Sequence, residues 1–330
     1  MTLRVFSVLL LTLALQACGG GSSGNSDNDK ASTKEAHFIQ PDKVAAYVAN
    51  FQSQYDQIKL TLDGKEYPVE FYDMSQKEKL IVVKFAEGVL TFGFDFDKET
   101  PIATSFKIDR VGDELSHKAI TVTSEGDNFK MEGSVEEPVT QGLYNVEFVF
   151  NEALLSAGNA SFRLDEAKTT AFVNGALGTS SYIKLKALLE NNPGLKTLVL
   201  ENVEGSVNDA INLHTSRLVR NAQLTTEIRK GGEAHSGGVD LFSAGYHRVY
   251  QDGATLGVHS WCCTDKGQDA GKLSKDDAQH APYLTFSREM LGDTLGPDFY
   301  FFTIQAAPAS GIHKMTRAEI DKYLLADQPR

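Results

Sequence analysis

The sequence predicts two structured units in series: a β-rich unit, an antiparallel sandwich or small barrel, over residues 37–166, and an α/β unit over residues 167–330. Two changes of texture carry that reading. Between Ile58 and Leu164, short apolar runs of near-alternating pattern are separated by turn residues. After Glu166, strand-like runs alternate with helical stretches, the pattern of repeated crossovers. Length agrees, since 330 residues at about 100–200 per domain can bury two cores, and 41% hydrophobic residues is ordinary globular usage.

Residues 1–17 have the build of a secretory leader: Arg4 and the amine precede an apolar stretch, residues 5–15, that is too short to span a bilayer. The stretch ends in Leu15-Gln16-Ala17-Cys18, which resembles a bacterial lipobox. That resemblance implies a lipoprotein whose Cys18 becomes the lipidated first residue; an ordinary leader with a chance cysteine is the alternative. Gly19 resembles the pattern that permits transfer of Gram-negative lipoproteins to the outer membrane. The implied location is therefore the cell envelope, lipid-anchored, on the periplasmic face of the outer membrane in a Gram-negative cell. Residues 18–36, rich in Gly, Ser, Asn and Asp, read as a flexible tether.

Charge excludes one class of partner. With 44 acidic against 32 basic residues the net charge is −12, becoming −13 once Arg4 leaves with the leader, and no Lys/Arg block exists to hold phosphates, so no nucleic acid is expected. No apolar run of about 18 residues follows residue 17, which excludes a polytopic membrane protein.

In the β-rich unit, residues 41–55 read as a helix with Val44, Ala45, Val48 and Phe51 on one stripe. Strands are expected at residues 58–62, 80–85, 89–96, 120–123 and 144–150, with turns at Asp63-Gly64 and at Glu125-Gly126-Asp127-Asn128. No His/Asp/Glu cluster stands out here, so binding, spacing or docking is the expected role. In the α/β unit, strands are expected at residues 171–177, 195–201 and 224–228, and helices at 180–190 and 206–220. Val207, Ala210, Ile211 and Leu218 should share a face of the second helix. Thr316 and Glu319 form a capping box ahead of a last helix.

One segment has the makings of chemistry. Gly231-Gly232-Glu233-Ala234-His235-Ser236-Gly237-Gly238 places Ser236 at the mouth of a short helix, with the Gly237 amide where a carbonyl oxygen would become an oxyanion. An apolar strand then ends in His259, positioned as a base for that serine. Each residue also has a plainer reading, Ser236 as a helix cap and His259 as a hydrogen-bonded histidine. His235 is a rival base that as an immediate neighbour points the wrong way. His235, His247 and His259 lack metal-ligand spacing, so no metal is expected, and no cofactor motif is present. Cys262 and Cys263 could be buried thiols, a vicinal disulfide or a redox pair, with a structural role favoured.

Over residues 171–325 the linked order resembles the ClpP/crotonase superfamily, specifically ClpP-like exported serine peptidases. The matching features are Val203-Glu204-Gly205-Ser206, a helix, a strand, Ser236, Ala244-Gly245, Arg248 and then His259. The resemblance implies Ser236 as nucleophile, His259 as base and an oxyanion hole of Gly237 with Gly205 or its neighbour. It implies a membrane-anchored serine hydrolase, most naturally a peptidase, acting on a peptide or acyl substrate, and allows a homo-oligomer. Two departures stand out. Glu204 replaces a glycine of the oxyanion turn, and residues 309–313 hold no carboxylate to complete a triad, leaving a dyad or a role for Asp293 or Asp298. They motivate the alternative of a catalytically inactive ClpP-fold binding or assembly module. Ala234-x-Ser236-x-Gly238 also resembles the nucleophile elbow of α/β-hydrolases, but residues 230–235 are expected to separate the serine from its strand. An acyl-CoA enzyme is disfavoured because an exported protein rarely meets coenzyme A.

Overall fold

A computed structural model of the protein describes residues 35–75, 80–86, 88–95, 100–108, 114–136, 140–264 and 267–326. The leader, Cys18 and all but the end of the tether lie outside them. Residues Lys34–Arg330 form one compact unit holding two principal cores, each beneath its own sheet. Among the described residues no helix is long and apolar enough to cross a membrane.

The first sheet is made of hairpins. A tight turn at Pro41–Lys43 leads into α1 (Val44–Tyr55), then β1 (Lys59–Leu62) and β2 (Lys65–Tyr67), joined by Asp63 and Gly64, both at positive φ as a two-residue hairpin turn requires. There follow β3 (Val69–Ser75), β4 (Leu80–Phe85), β5 (Gly88–Asp95), β6 (Thr100–Ile108), β7 (Glu114–Glu125), β8 (Asn128–Glu136) and β9 (Leu143–Phe150). All neighbours run antiparallel in the order β2-β1-β9-β8-β7-β6-β5-β4-β3. The two edge strands, β2 and β3, are separated only by Pro68, so the sheet curls until its edges approach. Tyr67 meets Phe85 across that approach, ring centroids 5.4 Å apart.

Along β9 the side chains alternate, and Val146, Phe148 and Phe150 join Leu60, Leu62 and Met131 in the first core. Helix α2 (Glu152–Ala157) and Phe51 of α1 pack on the same core, so this half is not purely β. Helix α1 buries Val44 and Phe51 while Ala45 is exposed, a narrower stripe than the sequence suggests, because the helix lays only one edge on its neighbours.

The second sheet has seven strands. Its elements in order are β10 (Ser161–Leu164), β11 (Thr170–Asn174), α3 (Thr179–Asn191), β12 (Thr197–Val203), α4 (Asp209–Asn221), β13 (Thr225–His235), α5 (Gly237–Ser243), β14 (His247–Tyr250), β15 (Thr255–Val258), α6 (Ala281–Leu291), α7 (Leu295–Ala306), β16 (His313–Lys314) and α8 (Arg317–Ile320). Strands β11, β12 and β13 are parallel, and β13 is long enough to pair first with β14 and then with β15. Short antiparallel strands β10 and β16 close the edges. Three consecutive residues of β12, Leu198, Val199 and Leu200, are buried, as a strand covered on both faces demands. The capping box is present: Thr316 Oγ1 accepts from the Glu319 amide at 3.3 Å and Glu319 Oε2 from the Thr316 amide at 2.7 Å.

Among the boundaries that differ from the sequence reading, two matter for the site. Helix α4 begins at Asp209, not Ser206. Ser206 instead bridges Leu177, whose carbonyl accepts from the Val207 amide at 2.9 Å, and Val207 is left outside the helix at 39% exposure. Strand β13 does not stop at Ile228. It continues through Gly231 and Gly232 to His235, the extra length absorbed by a register shift on β12 between Leu200 and Asn202.

Residues 35–40 run across α4 and α6. The Ala36 amide donates to Thr285 Oγ1 at 3.0 Å, the His214 ring bonds the Ile39 carbonyl at 2.8 Å, and Phe38 meets Tyr283 edge-on at 5.0 Å. Burial pulls His214 down to about 4, so near neutral pH its ring is uncharged and donates from Nε2.

Candidate active site

Ser236 is the joint between β13 and α5. It follows the strand directly, so the intervening loop expected at residues 230–235 is strand. Its backbone sits at φ 50°, ψ −122°, a region sparsely used by residues other than glycine. The flanking structure holds it there: its amide donates to the Gly257 carbonyl at 2.9 Å and its own carbonyl accepts from the Val239 amide at 2.8 Å. Although Ser236 occupies the cap position of α5, its side chain makes no capping hydrogen bond. The hydroxyl is not spent on local structure.

The pairing of β13 with β15 sets the partner. His235 lies opposite Gly257, so the chain leaving β15 brings His259 to the same end of the sheet as Ser236, and both side chains line one pocket. His259 Nδ1 is 2.8 Å from the Ser260 carbonyl oxygen. A carbonyl only accepts, so Nδ1 carries the proton and Nε2 is the basic nitrogen. Among the described residues no carboxylate hydrogen-bonds this imidazole; the Ser260 carbonyl does. Ser236 and His259 share the pocket without a direct hydrogen bond between them.

Two glycines shape the approach. Gly205 adopts φ +139°, and a Cβ there would stand 3.3 Å from Ser236 Cβ. A Cβ on Gly237 would come within 2.6 Å of Ser206 Cβ and 2.8 Å of Asn212 Nδ2, a clash that only glycine avoids. As the first residue of α5, Gly237 has an amide with no acceptor inside the helix. Asn212 Nδ2 donates to the Gly237 carbonyl at 3.0 Å and locks α4 to the turn.

Sequence reasoning missed the acids of this pocket. Asp209, at the start of α4, and Asp240, one helical turn beyond Ser236, both line it. Burial raises the Asp209 carboxyl above its ordinary range, opposed by hydrogen bonds from the Tyr283 hydroxyl, at 3.0 Å, and from Ser206, and by the nearby His259. Asp240 is pushed up to about 8, mainly by burial and further by the neighbouring Asp209 charge. The spacing Ser236–Asp240, four residues apart on an otherwise apolar short helix, was the available signal for one acid.

Part of the lining is aromatic. Trp261 stacks on Tyr283 at 5.4 Å, and Tyr283 on Tyr300 at 5.7 Å, with interplanar angles of 19° and 11°. A directed chain of hydrogen bonds fixes the rings: Trp261 Nε1 donates to the Tyr300 hydroxyl at 2.9 Å, and that hydroxyl donates to His280 Nδ1 at 2.7 Å. His280 Nε2 in turn donates to the Ser274 carbonyl at 3.1 Å. Burial lowers the His280 pKa, consistent with the neutral ring this chain needs.

The remaining candidates fall elsewhere. Glu204 is exposed and does not line the pocket. Asp293 and Asp298 do not line it either. His235 packs over Gly257, where a Cβ would come within 2.6 Å of its ring, and stays outside the pocket. Arg248 is buried and clamps the carbonyls of Ser243, Gly245 and Leu324, a structural role. Cys262 and Cys263 form a vicinal disulfide across a cis peptide bond, beginning three residues beyond His259. Among the described residues one His/carboxylate group has atoms close enough to share a cation: Glu35, His37 and Glu289, outside the pocket. Arg217 already pairs with Glu289 at 2.7 Å and His37 with Glu35 at 3.1 Å.

No protein-family model matches the chain. No curated protein matches it either. Among solved structures it is similar to the 1510-N membrane-bound stomatin-specific protease, at 12% identity over 47% of this chain and 75% of that one, TM-score 0.34. The same protease in complex with a substrate peptide gives 13% identity over 44% and 67%, TM-score 0.31. An enoyl-CoA hydratase from Bacillus anthracis gives 13% identity over 50% and 67%, TM-score 0.33.

Proposed function

We propose that the chain is a ClpP-like serine hydrolase, most naturally a peptidase, in which Ser236 is the nucleophile and His259 the base, held in the cell envelope by a lipid on Cys18. The observation that carries the reading is the state of Ser236. A non-glycine residue is kept at a sparsely allowed φ, its hydroxyl is withheld from capping α5, and it faces a pocket shared with a histidine whose Nδ1 is already committed.

In the proposed reaction His259 Nε2 removes the Ser236 proton as Oγ bonds to the substrate carbonyl carbon. The carbonyl electron pair moves to oxygen, where the amides of Gly237 and Gly205 receive it. Collapse of that intermediate breaks the bond to the leaving group, which takes the proton from His259, and water repeats the sequence to release the acid. The Ser260 carbonyl does for the imidazole what a third-residue acid does elsewhere: it fixes tautomer and ring orientation. It supplies no full negative charge, so a smaller rate enhancement than that of a complete triad is expected.

A fluorophosphonate probe on the full chain in detergent tests the reading. Covalent labelling that peptide mapping places on Ser236, and that Ser236→Ala and His259→Ala abolish, is the expected result; an unlabelled, folded protein overturns it. The binding or assembly module is then the reading left, and the missing hydrogen bond between Ser236 and His259 is the observation in its favour. The anchor is tested separately, by mass spectrometry of the mature N-terminus. A diacylglyceryl adduct on Cys18 is expected, and an unmodified terminus overturns it.

A further inference from the structure

The pocket beside Ser236 has an unusual balance of groups. Its lining includes two carboxyls, Asp209 and Asp240, and no lysine or arginine. The Asp209 carboxyl already has hydroxyl partners, Tyr283 and Ser206. Asp240 has none: among the described residues no hydrogen bond or ion pair reaches its carboxyl, and the charge that bears on it is the like-signed Asp209. The residue keeps some exposure where it lines the pocket, and burial penalises the charged form of its carboxyl. An isolated desolvated carboxyl is costly to keep, and the cost is relieved by a counter-charge.

The aromatic lining points to the same kind of guest. The rings of Trp261, Tyr283 and Tyr300 have spent their polar atoms, Tyr283 on Asp209 and Tyr300 on Trp261 and His280, so what they offer is aromatic surface. Aromatic surface in the same pocket as a carboxyl suits an ammonium or guanidinium on an apolar stem: cation against ring and carboxyl, methylenes against Ile304 and Val239. An anionic guest would meet two acids and no cation.

We infer that this pocket receives the cationic side chain of the substrate, a lysine-like ammonium or arginine-like guanidinium, with Asp240 as its counter-charge and the Trp261–Tyr283–Tyr300 wall as its aromatic face. The link to cleavage rests on the hydrolase reading above; the binding does not.

The chain has a single tryptophan, Trp261, and it lines the pocket, so its emission reports occupancy. The full chain in detergent is titrated with n-butylammonium and n-propylguanidinium, and with the neutral analogues n-pentanol and N-propylurea. At least one cation should give a saturable change at a concentration about tenfold or more below its neutral analogue, and Asp240→Asn should remove that preference while N-propylurea binding stays as it was. Equal affinity for cation and neutral analogue, or no saturable change with either cation up to about 100 mM, overturns the inference without any variant having to fold. Comparing ammonium with guanidinium then separates the lysine from the arginine class. Fluorophosphonate labelling of the same sample keeps the two claims apart. A bound cation with Ser236 unlabelled defeats the hydrolase alone, and labelled Ser236 without cation preference defeats this inference alone.

Discussion

The two sheets bury their side chains in opposite ways. Strand β9 alternates, one face in the core and the other left to polar contacts such as Lys130 between Glu132 and Glu147; strand β12 buries Leu198, Val199 and Leu200 in succession. An antiparallel meander returns at every hairpin and spreads its ends around the rim. Parallel strands all finish at one end, and there β12, β13 and β15 deliver Gly205, Ser236 and His259 to neighbouring places. The difference teaches where chemistry can collect: convergence comes with parallel strand order, and the curled sheet has none.

That contrast can be broken or sharpened by experiment. The largest effect is expected at the convergence point: Gly237→Ala should cut the rate of Ser236 labelling by about 100-fold or more, because its Cβ would push into Ser206 and displace the oxyanion turn. Unchanged labelling would show that the turn has slack the close approach denies. Next, Phe148→Ala, in the first core, should destabilise the fold by about 3 to 5 kcal/mol in urea denaturation yet leave Ser236 labelling within about twofold under folding conditions. A large loss of labelling would mean that the curled sheet holds the site in shape.

A smaller effect follows from Asp240. Its folded carboxyl titrates near 8, against about 4 in an unfolded chain, so between those values the folded state binds the extra proton. Stability from this group is therefore fully present below about pH 4, declines as pH rises to about 8, and is flat above. Asp240→Asn should remove that slope and exceed the wild type in stability by more at pH 8.5 than at pH 5, read from urea midpoints at the two pH values. The smallest effect belongs to the outer face of the first sheet, where Lys130→Ala, losing exposed ion pairs to Glu132 and Glu147, should change stability by less than about 1 kcal/mol.

Much of the second half is legible in the sequence because its signals are local. A capping box, an apolar strand running up to His259 and a Ser236 followed by two glycines each announce themselves within a few residues. The start of α4 was misread because Ser206 has the chemistry of a helix cap, while its pairing with Leu177, distant in sequence, claims it as an extension of the sheet. Asp209 and Tyr283 meet across 74 residues, and neither looks unusual on its own helix. In the first half the strands β2, β3, β6 and β8 went unseen. Strand β8 shows the reason, since its buried residues Met131 and Val135 are too few to mark a period.

The stretch at residues 35–40 has a mechanical consequence. It is pinned to Thr285, to the ring of Tyr283 and to His214 before the chain enters either sheet. Traction applied upstream would load α4 and α6 first, the helices that carry Asp209 and Tyr283, so residues 35–40 and the pocket wall share one set of fastenings.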